Sequence, residues 1–302
     1  MTLDLLDVTY EVPGRRIVQS VSLAVRPGRF SVLLGPNGTG KTTLMRCMAG
    51  DLTPTSGEVR IHGQPMQHLT PMERARRRAV MTQQVAVSFD FLVEEVVLLG
   101  RTPHATNESS TISATIARKA LEVMGLSHLA RRSIRTLSGG EAQRVHLARA
   151  LAQVWQGHPA PGGGNASPYL LLDEPVSALD MQWQHEVMAE LAMLATQGYA
   201  VFAILHDLNL AAQYAHEVAF LKDGQIVAAG HVHQTLTSEN VHHVYGVHTT
   251  VWQHPVADCP LIVQHSSPRL QSTRRRAASQ PLSHPVAHPQ PAPEPVHESF
   301  IP

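Results

Sequence analysis

Residues 35–42 read Gly35-Pro36-Asn37-Gly38-Thr39-Gly40-Lys41-Thr42, which fits the spacing G-x-x-x-x-G-K-[ST] in full. The chemistry served by such a run is phosphate binding. Its glycines let backbone N–H groups point inward around phosphate oxygens, and a helix starting at its end adds partial positive charge. Lys41 brings a full charge for the β- and γ-phosphates, and Thr42 a hydroxyl for Mg²⁺. Thr43 follows directly and is grouped with the nucleotide-binding residues. A second candidate is Tyr169-Leu170-Leu171-Leu172-Asp173-Glu174, an apolar run ending in two carboxylates. There Asp173 suits the Mg²⁺ shell and Glu174 suits a general base on an attacking water, a role that contributes about 10²–10⁴-fold. Such a pair alone marks a solvated turn more often than a site, and the phosphate loop reverses that balance. His206 follows the apolar run Ala200–Leu205 and is placed to reach a γ-phosphate or Glu174. Leu137-Ser138-Gly139-Gly140-Glu141 has two readings. It is a capping box from Ser138 to Glu141, or its exposed N–H groups and the Ser138 hydroxyl bind phosphate on a second subunit.

These residues need strands and helices to hold them. Short apolar runs predict strands at Leu3–Val8, Val21–Val25, Phe30–Leu34, Val59–Ile61, Ala79–Thr82, Tyr169–Asp173, Ala200–Leu205, Val218–Leu221 and Ile226–Ala228. Phe30–Leu34, Tyr169–Asp173 and Ala200–Leu205 are nearly all apolar, as strands buried on both faces are. The phosphate loop thus sits between a buried strand and a helical run ending at Gly50. Thr70-Pro71-Met72-Glu73 has capping-box spacing with proline at the first helical position. A helix is expected over Gln143–Gln153, and residues 85–136 are mostly helical in pattern. The expectation is an α/β core with a helical insertion near 85–150. Residues 156–168 (QGHPAPGGGNASP) read as a surface loop, and 265–302, dense in Pro, Ser, His and Arg, as a disordered tail.

Composition narrows the function further. The 302 residues carry 24 Lys+Arg against 24 Asp+Glu, a net charge of zero, which argues against a nucleic-acid binder working through bulk charge. No run approaches the roughly 18 apolar residues of a membrane-spanning helix, and the N-terminus lacks the pattern of a signal peptide. Cys47 and Cys259 are too few for a disulfide framework and fit a reducing compartment. The 19 histidines, some paired as at His231/His233 and His242/His243, read as scattered exposed side chains rather than a metal site. Arg74–Arg78 reads as a solvated helix face.

Together these motifs resemble the ATP-binding subunit of ABC transporters over roughly residues 2–255. GPNGTGKT resembles the Walker A motif, LSGGE the signature, and YLLLDEP the Walker B motif with its catalytic glutamate, Glu174. Ser177-Ala178-Leu179-Asp180 resembles the D-loop and His206 the switch histidine. The Q-loop glutamine, with a share in the Mg²⁺ shell and in catalysis, falls on Gln83, with Gln84 as the neighbouring alternative. Tyr10 stands where the family stacks an aromatic ring on adenine, and core packing is its other reading. The resemblance implies a P-loop NTPase core with an N-terminal antiparallel β subdomain and a helical subdomain. It implies ATP and Mg²⁺ as cofactors. It also implies a head-to-tail homodimer in which ATP lies between Walker A of one copy and Ser138, Gly139 and Gly140 of the other, with Asp180 nearby.

Two transmembrane permease subunits would dock around Gln83–Arg101, and a periplasmic substrate-binding protein would act indirectly. The chain would then lie peripherally on the cytoplasmic face of the inner membrane. Phe91–Arg101 and Leu205–Ala215 are similar to the iron-chelate and cobalamin importer group. Gln143–Gln153 and the 156–168 insertion are similar to its haemin-importing branch. Iron–siderophore or cobalamin import is the alternative. The insertion's composition, Val176 where Thr is common, and the tail depart from that branch. A soluble ABC ATPase acting on ribosomes or DNA is disfavoured by the single cassette, the lack of a heptad run and the zero net charge.

Overall fold

The computed structural model describes residues 2–82, 90–155 and 167–265. In chain order the elements are β1 (Leu3–Val12), β2 (Arg15–Val25), β3 (Phe30–Leu34), α1 (Lys41–Ala49), β4 (Ser56–Ile61), β5 (Gln64–Pro65), α2 (Pro71–Arg77) and β6 (Arg78–Met81). Then come α3 (Val93–Leu98), α4 (Ser110–Val123), α5 (Gly139–Val154), β7 (Tyr169–Asp173), α6 (Met181–Thr196), β8 (Ala200–Ile204) and α7 (Leu208–Tyr214). The chain continues through β9 (Glu217–Lys222), β10 (Gln225–His231), α8 (Val232–Thr235), α9 (Ser238–Tyr245), β11 (Thr249–Gln253) and β12 (Pro260–Gln264).

The central sheet has the order β10-β9-β3-β8-β7-β6. All its pairings are parallel except β10 with β9. Every residue of β3, β7 and β8 is buried, which is why their sequences are continuous apolar runs. A second sheet, β2-β1-β4-β5, is wholly antiparallel and is the expected N-terminal subdomain. One hydrophobic cluster includes Leu3, Val18, Leu44, Met48, Tyr169 and Phe202 and joins α1 to both sheets. The larger cluster runs from the other face of the central sheet into the helical insertion, where α3 and α4 pack on α5.

Several boundaries differ from the sequence expectations. β1 extends four residues beyond Val8, and β2 starts at Arg15 rather than Val21. Their outer halves pair with each other backbone to backbone, a ladder that needs no apolar side chains. Helix α5 starts at Gly139, four residues before the expected Gln143, because the Ser138–Glu141 capping box satisfies its first N–H groups. The β11–β12 hairpin was not expected, since three of the five residues of β11 are exposed and the apolar run of β12, Leu261–Val263, is only three residues long. It carries the compact unit to His265, past the expected limit of 255. The helix expected at Thr70 begins there with its capping box and Pro71 at the first position. The loop expected at 156–168 and the tail at 265–302 lie almost entirely outside the described residues.

Candidate functional site

Parallel strands bring their carboxyl ends to one edge of a sheet, and the turns there face a common crevice. The register shows which residues meet. Leu33 of β3 and Asp173 of β7 both pair with Ile204 of β8. The phosphate loop after Leu34, Asp173 with Glu174, and His206 therefore emerge side by side.

The loop closes tightly around its lysine. Lys41 is buried, and its Nζ donates to the carbonyls of Gly35 at 2.7 Å and Pro36 at 2.8 Å. Thr39 Oγ1 also donates to Pro36 at 2.9 Å. Gly35 and Gly40 admit no side chain: a Cβ would lie 2.2 Å from the Leu221 carbonyl oxygen and 2.6 Å from that of Ile17, respectively. Both have positive φ, 153° and 101°, so glycine is needed for conformation as well as space. Burial lowers the Lys41 pKa, and the nearby charges of Glu174 and then Asp173 counteract it.

Thr42 Oγ1 donates to Asp173 Oδ2 at 2.9 Å. Asp173 is 1% exposed, and its Oδ1 has no hydrogen-bond partner among the described residues. Burial raises its pKa above the usual carboxylate range. The Thr42 hydrogen bond opposes that, Glu174 adds to it, and Lys41 and His206 oppose it. A hydroxyl beside a buried carboxylate oxygen with nothing to bind is a donor set suited to a hard divalent cation.

Glu174 sits one residue beyond the strand with φ 52°, a left-handed conformation for a residue with a side chain. Such conformations cost about 1–3 kcal/mol and persist where the surroundings enforce them. The Glu174 N–H donates to the Ile204 carbonyl at 3.2 Å. Its Oε1 lies 2.5 Å from His206 Nε2. A carboxylate held by an imidazole at the mouth of a phosphate loop can orient a water and accept its proton.

The cleft over the loop is about 370 Å³ and is lined by Asn37, Gly38, Gly40, Lys41, Thr42, Thr43 and Glu174, with Arg15 and Ile17 on the side of the antiparallel sheet. Arg15 and Ile17 were not singled out in the sequence, where nothing marks them except their place in the β1–β2 hairpin. Tyr10 is half-buried against the smaller core cluster, the one that joins α1 to both sheets, and does not line this cleft. Gln83 and Gln84 lie outside the described residues.

Ser138, Gly139 and Gly140 do not line the cleft of their own chain. Ser138 caps α5: its Oγ accepts from Glu141 N at 3.3 Å, while its N–H and Oγ each donate to Glu141 Oε2 at 2.8 Å. Asp180 caps α6 through an acceptor bond from Trp183 N at 2.9 Å, and its side chain faces solvent. A groove of about 450 Å³ on the helical insertion is lined largely by apolar groups, among them Phe91, Leu98 and Leu99, with Arg101 and Glu108 at its base. His242, His248 and His265 stack with centroid spacings of 4.7 and 6.2 Å. Among the described residues no group of three His, Cys, Asp or Glu is arranged to hold a metal ion.

The sequence profile of the ABC transporter family matches residues 18–177, over half of the chain. The chain belongs to the ABC transporter family. It is the ATP-binding, ATP-hydrolysing kind of subunit, and in this family such cassettes work as dimers with membrane permease partners. Its relatives include the hemin import ATP-binding protein HmuV of Gloeobacter violaceus, 44% identical over 83% of this chain and 89% of that protein. The protein of the same name from Deinococcus radiodurans is 43% identical over 86% and 96%. Among solved structures, an inward-facing ABC transporter described as metal-chelate type superposes with a TM-score of 0.72, at 25% identity over 88% of this chain and 98% of that one. A dimeric bacterial ABC transporter cassette superposes with a TM-score of 0.66, at 27% identity over 76% and 98%. No helix among the described residues of this ABC subunit is long and apolar enough to cross a membrane.

Proposed function

We propose that this chain powers haemin import: as a homodimer on the cytoplasmic face of the inner membrane, it hydrolyses ATP to drive two permease subunits supplied by a periplasmic binding protein. The observation that carries the substrate is its identity with relatives named for hemin import, 44% over 83% of the chain. The likeness to a metal-chelate type transporter favours a second reading, import of a ferric siderophore or cobalamin.

The site supports the following division of labour. Asn37 to Thr43 cradle the triphosphate, and the loop glycines give its oxygens access to backbone N–H groups. Lys41 exchanges its loop carbonyl partners for phosphate oxygens. Arg15 and Ile17 flank the cleft towards the nucleoside, with Tyr10 assigned to the adenine on resemblance alone. Thr42 and Asp173 would hold Mg²⁺, with Gln83 assigned as a further ligand on resemblance alone. When bound, the ion neutralises charge building on the transferred phosphoryl group. Glu174 takes the proton of the attacking water, and His206 holds its carboxylate in place while facing the γ-phosphate. Ser138, Gly139 and Gly140, which do not line their own cleft, close on the partner's nucleotide, with Asp180 beside them. Closure is passed to the permease through the groove at Phe91, Leu98 and Leu99.

The domain limits we propose are an ABC cassette over 2–255 extended by the β11–β12 hairpin, a helical subdomain near 85–150, and a tail from 265. Uptake of haemin, ferric siderophore and cobalamin into vesicles holding this subunit and the permease encoded beside it separates the readings. ATP-dependent uptake of haemin alone is expected. Uptake of another ligand would keep the ATPase mechanism and overturn the substrate.

A further inference from the structure

Gln143 is the fifth residue of α5, one turn beyond the signature glycines. Its side-chain amide uses both ends. Nε2 donates to the carbonyl of Glu174 at 2.7 Å and approaches Ser177 Oγ at 3.4 Å, while Oε1 accepts from the N–H of Ala178 at 2.9 Å. A backbone acceptor on one side and a backbone donor on the other fix which end is nitrogen. We infer that Gln143 is a positioning residue that ties the helix carrying Ser138–Gly140 to the catalytic end of β7, holding the Glu174 backbone in its left-handed conformation.

Three observations support this. First, Glu174 has φ 52°, so its peptide planes need external restraint. The plane before it is held by the Glu174 N–H bond to Ile204, and the plane after it by Gln143 at 2.7 Å, with Ser177 Oγ at 3.1 Å and the Ser177 N–H at 3.3 Å as further, longer donors to the same carbonyl. With both planes fixed, the side chain projects towards His206 and the phosphate loop. Second, Gly140 and Gln143 are three residues apart on one helix, a rise of about 4.5 Å. A displacement of the helix N-terminus by a partner's nucleotide therefore moves the Gln143 amide, and with it the carbonyl of Glu174. Third, Gly140 itself abuts the same segment: a Cβ there would lie 3.1 Å from the Ala178 carbonyl oxygen. Gln143 is thus the hydrogen-bonded link, and Gly140 the packing contact, between the signature and the end of β7. A Glu174 displaced by about 1 Å loses on the order of 10²-fold in rate.

The inference rests on Glu174 being the general base, so Glu174→Gln is measured alongside. Gln143→Glu keeps the acceptor for Ala178 and removes the donor to Glu174. Gln143→Met keeps the bulk and removes both. The full-length chain is assayed for ATP affinity, steady-state hydrolysis and thermal unfolding. In both Gln143 variants kcat is expected to fall by about 10²-fold, with KM and the ATP dissociation constant within about twofold of wild type, because Gln143 does not line the cleft. Turnover within about threefold of wild type while Glu174→Gln is inactive would overturn the positioning role and leave the base intact. Parallel loss of ATP affinity and kcat, or loss of cooperative unfolding in both variants, would make Gln143 a structural residue and overturn it as well. Retained turnover in Glu174→Gln would instead remove the base assignment on which the inference stands.

Discussion

Replacing Asp173 with asparagine should make the nucleotide-free chain more stable and the nucleotide-bound chain less so. The side chain is 1% exposed, its Oδ2 is engaged by Thr42, and its Oδ1 has no partner among the described residues. Burial, with Glu174 adding to it, raises its pKa despite the opposing Thr42 hydrogen bond and the charges of Lys41 and His206. A raised carboxyl pKa in the folded state means the folded chain holds this proton more tightly than the unfolded chain. Stability therefore falls as pH rises from the ordinary carboxylate range through the raised value. Asparagine keeps the shape and an acceptor for Thr42 but carries no charge. A buried unsatisfied group costs about 1–3 kcal/mol. Asparagine still leaves one end unpaired, so a gain of about 1–2 kcal/mol is expected, or roughly 2–8 °C for a domain of this size. ATP with Mg²⁺ at a hundredfold excess over its dissociation constant should add about 2.7 kcal/mol to the wild type. The part of that increment that depends on Mg²⁺ should vanish in the variant. Thermal unfolding in EDTA, in ATP with EDTA, and in ATP with Mg²⁺ reads all three. A lower midpoint in EDTA, or an undiminished Mg²⁺ increment, would show that the Asp173 carboxylate is neither a buried penalty nor an Mg²⁺ ligand.

Glu174→Gln should slow hydrolysis by about 10²–10⁴-fold while ATP still binds, and ATP should then shift the chain to a dimer on gel filtration. Lys41→Ala should weaken ATP binding by roughly 10–150-fold, the equivalent of about 1.5–3 kcal/mol for hydrogen bonds to a charged group, as read by equilibrium titration. Arg101→Leu should destabilise the chain by about 3 kcal/mol in denaturant unfolding. The buried guanidinium binds both Glu108 oxygens at 2.5 and 2.6 Å and the carbonyls of Ala152 and Trp155 at the end of α5, and these bonds would be lost.

The phosphate loop, Asp173, Glu174 and His206 were legible because each follows a fully buried strand whose sequence is one apolar run. Parallel pairing then brings the ends of those strands together. Both ends of β3 and β7 were readable for the same reason. The β11–β12 hairpin was not, because β11 is mostly exposed and the apolar run of β12 is only three residues long. Arg15 and Ile17 were not legible as cleft residues, since their position depends on how the antiparallel sheet meets the central one. Gln143 looked like any polar residue on a helix, because its partners lie more than 30 positions away at Glu174 and Ala178. The Ser138–Glu141 capping box was readable as local structure. That the same residues do not line their own cleft is a matter of tertiary placement, which spacing does not encode.

ATP turnover at Glu174 is proposed to drive haemin transport. The most direct test follows ATP hydrolysis and haemin uptake together in vesicles carrying the permease with either the wild-type chain or Glu174→Gln. Wild-type vesicles should hydrolyse ATP and accumulate haemin, and the variant should bind ATP and do neither. Haemin accumulation that persists in the variant, or wild-type hydrolysis that never moves haemin, would contradict the account.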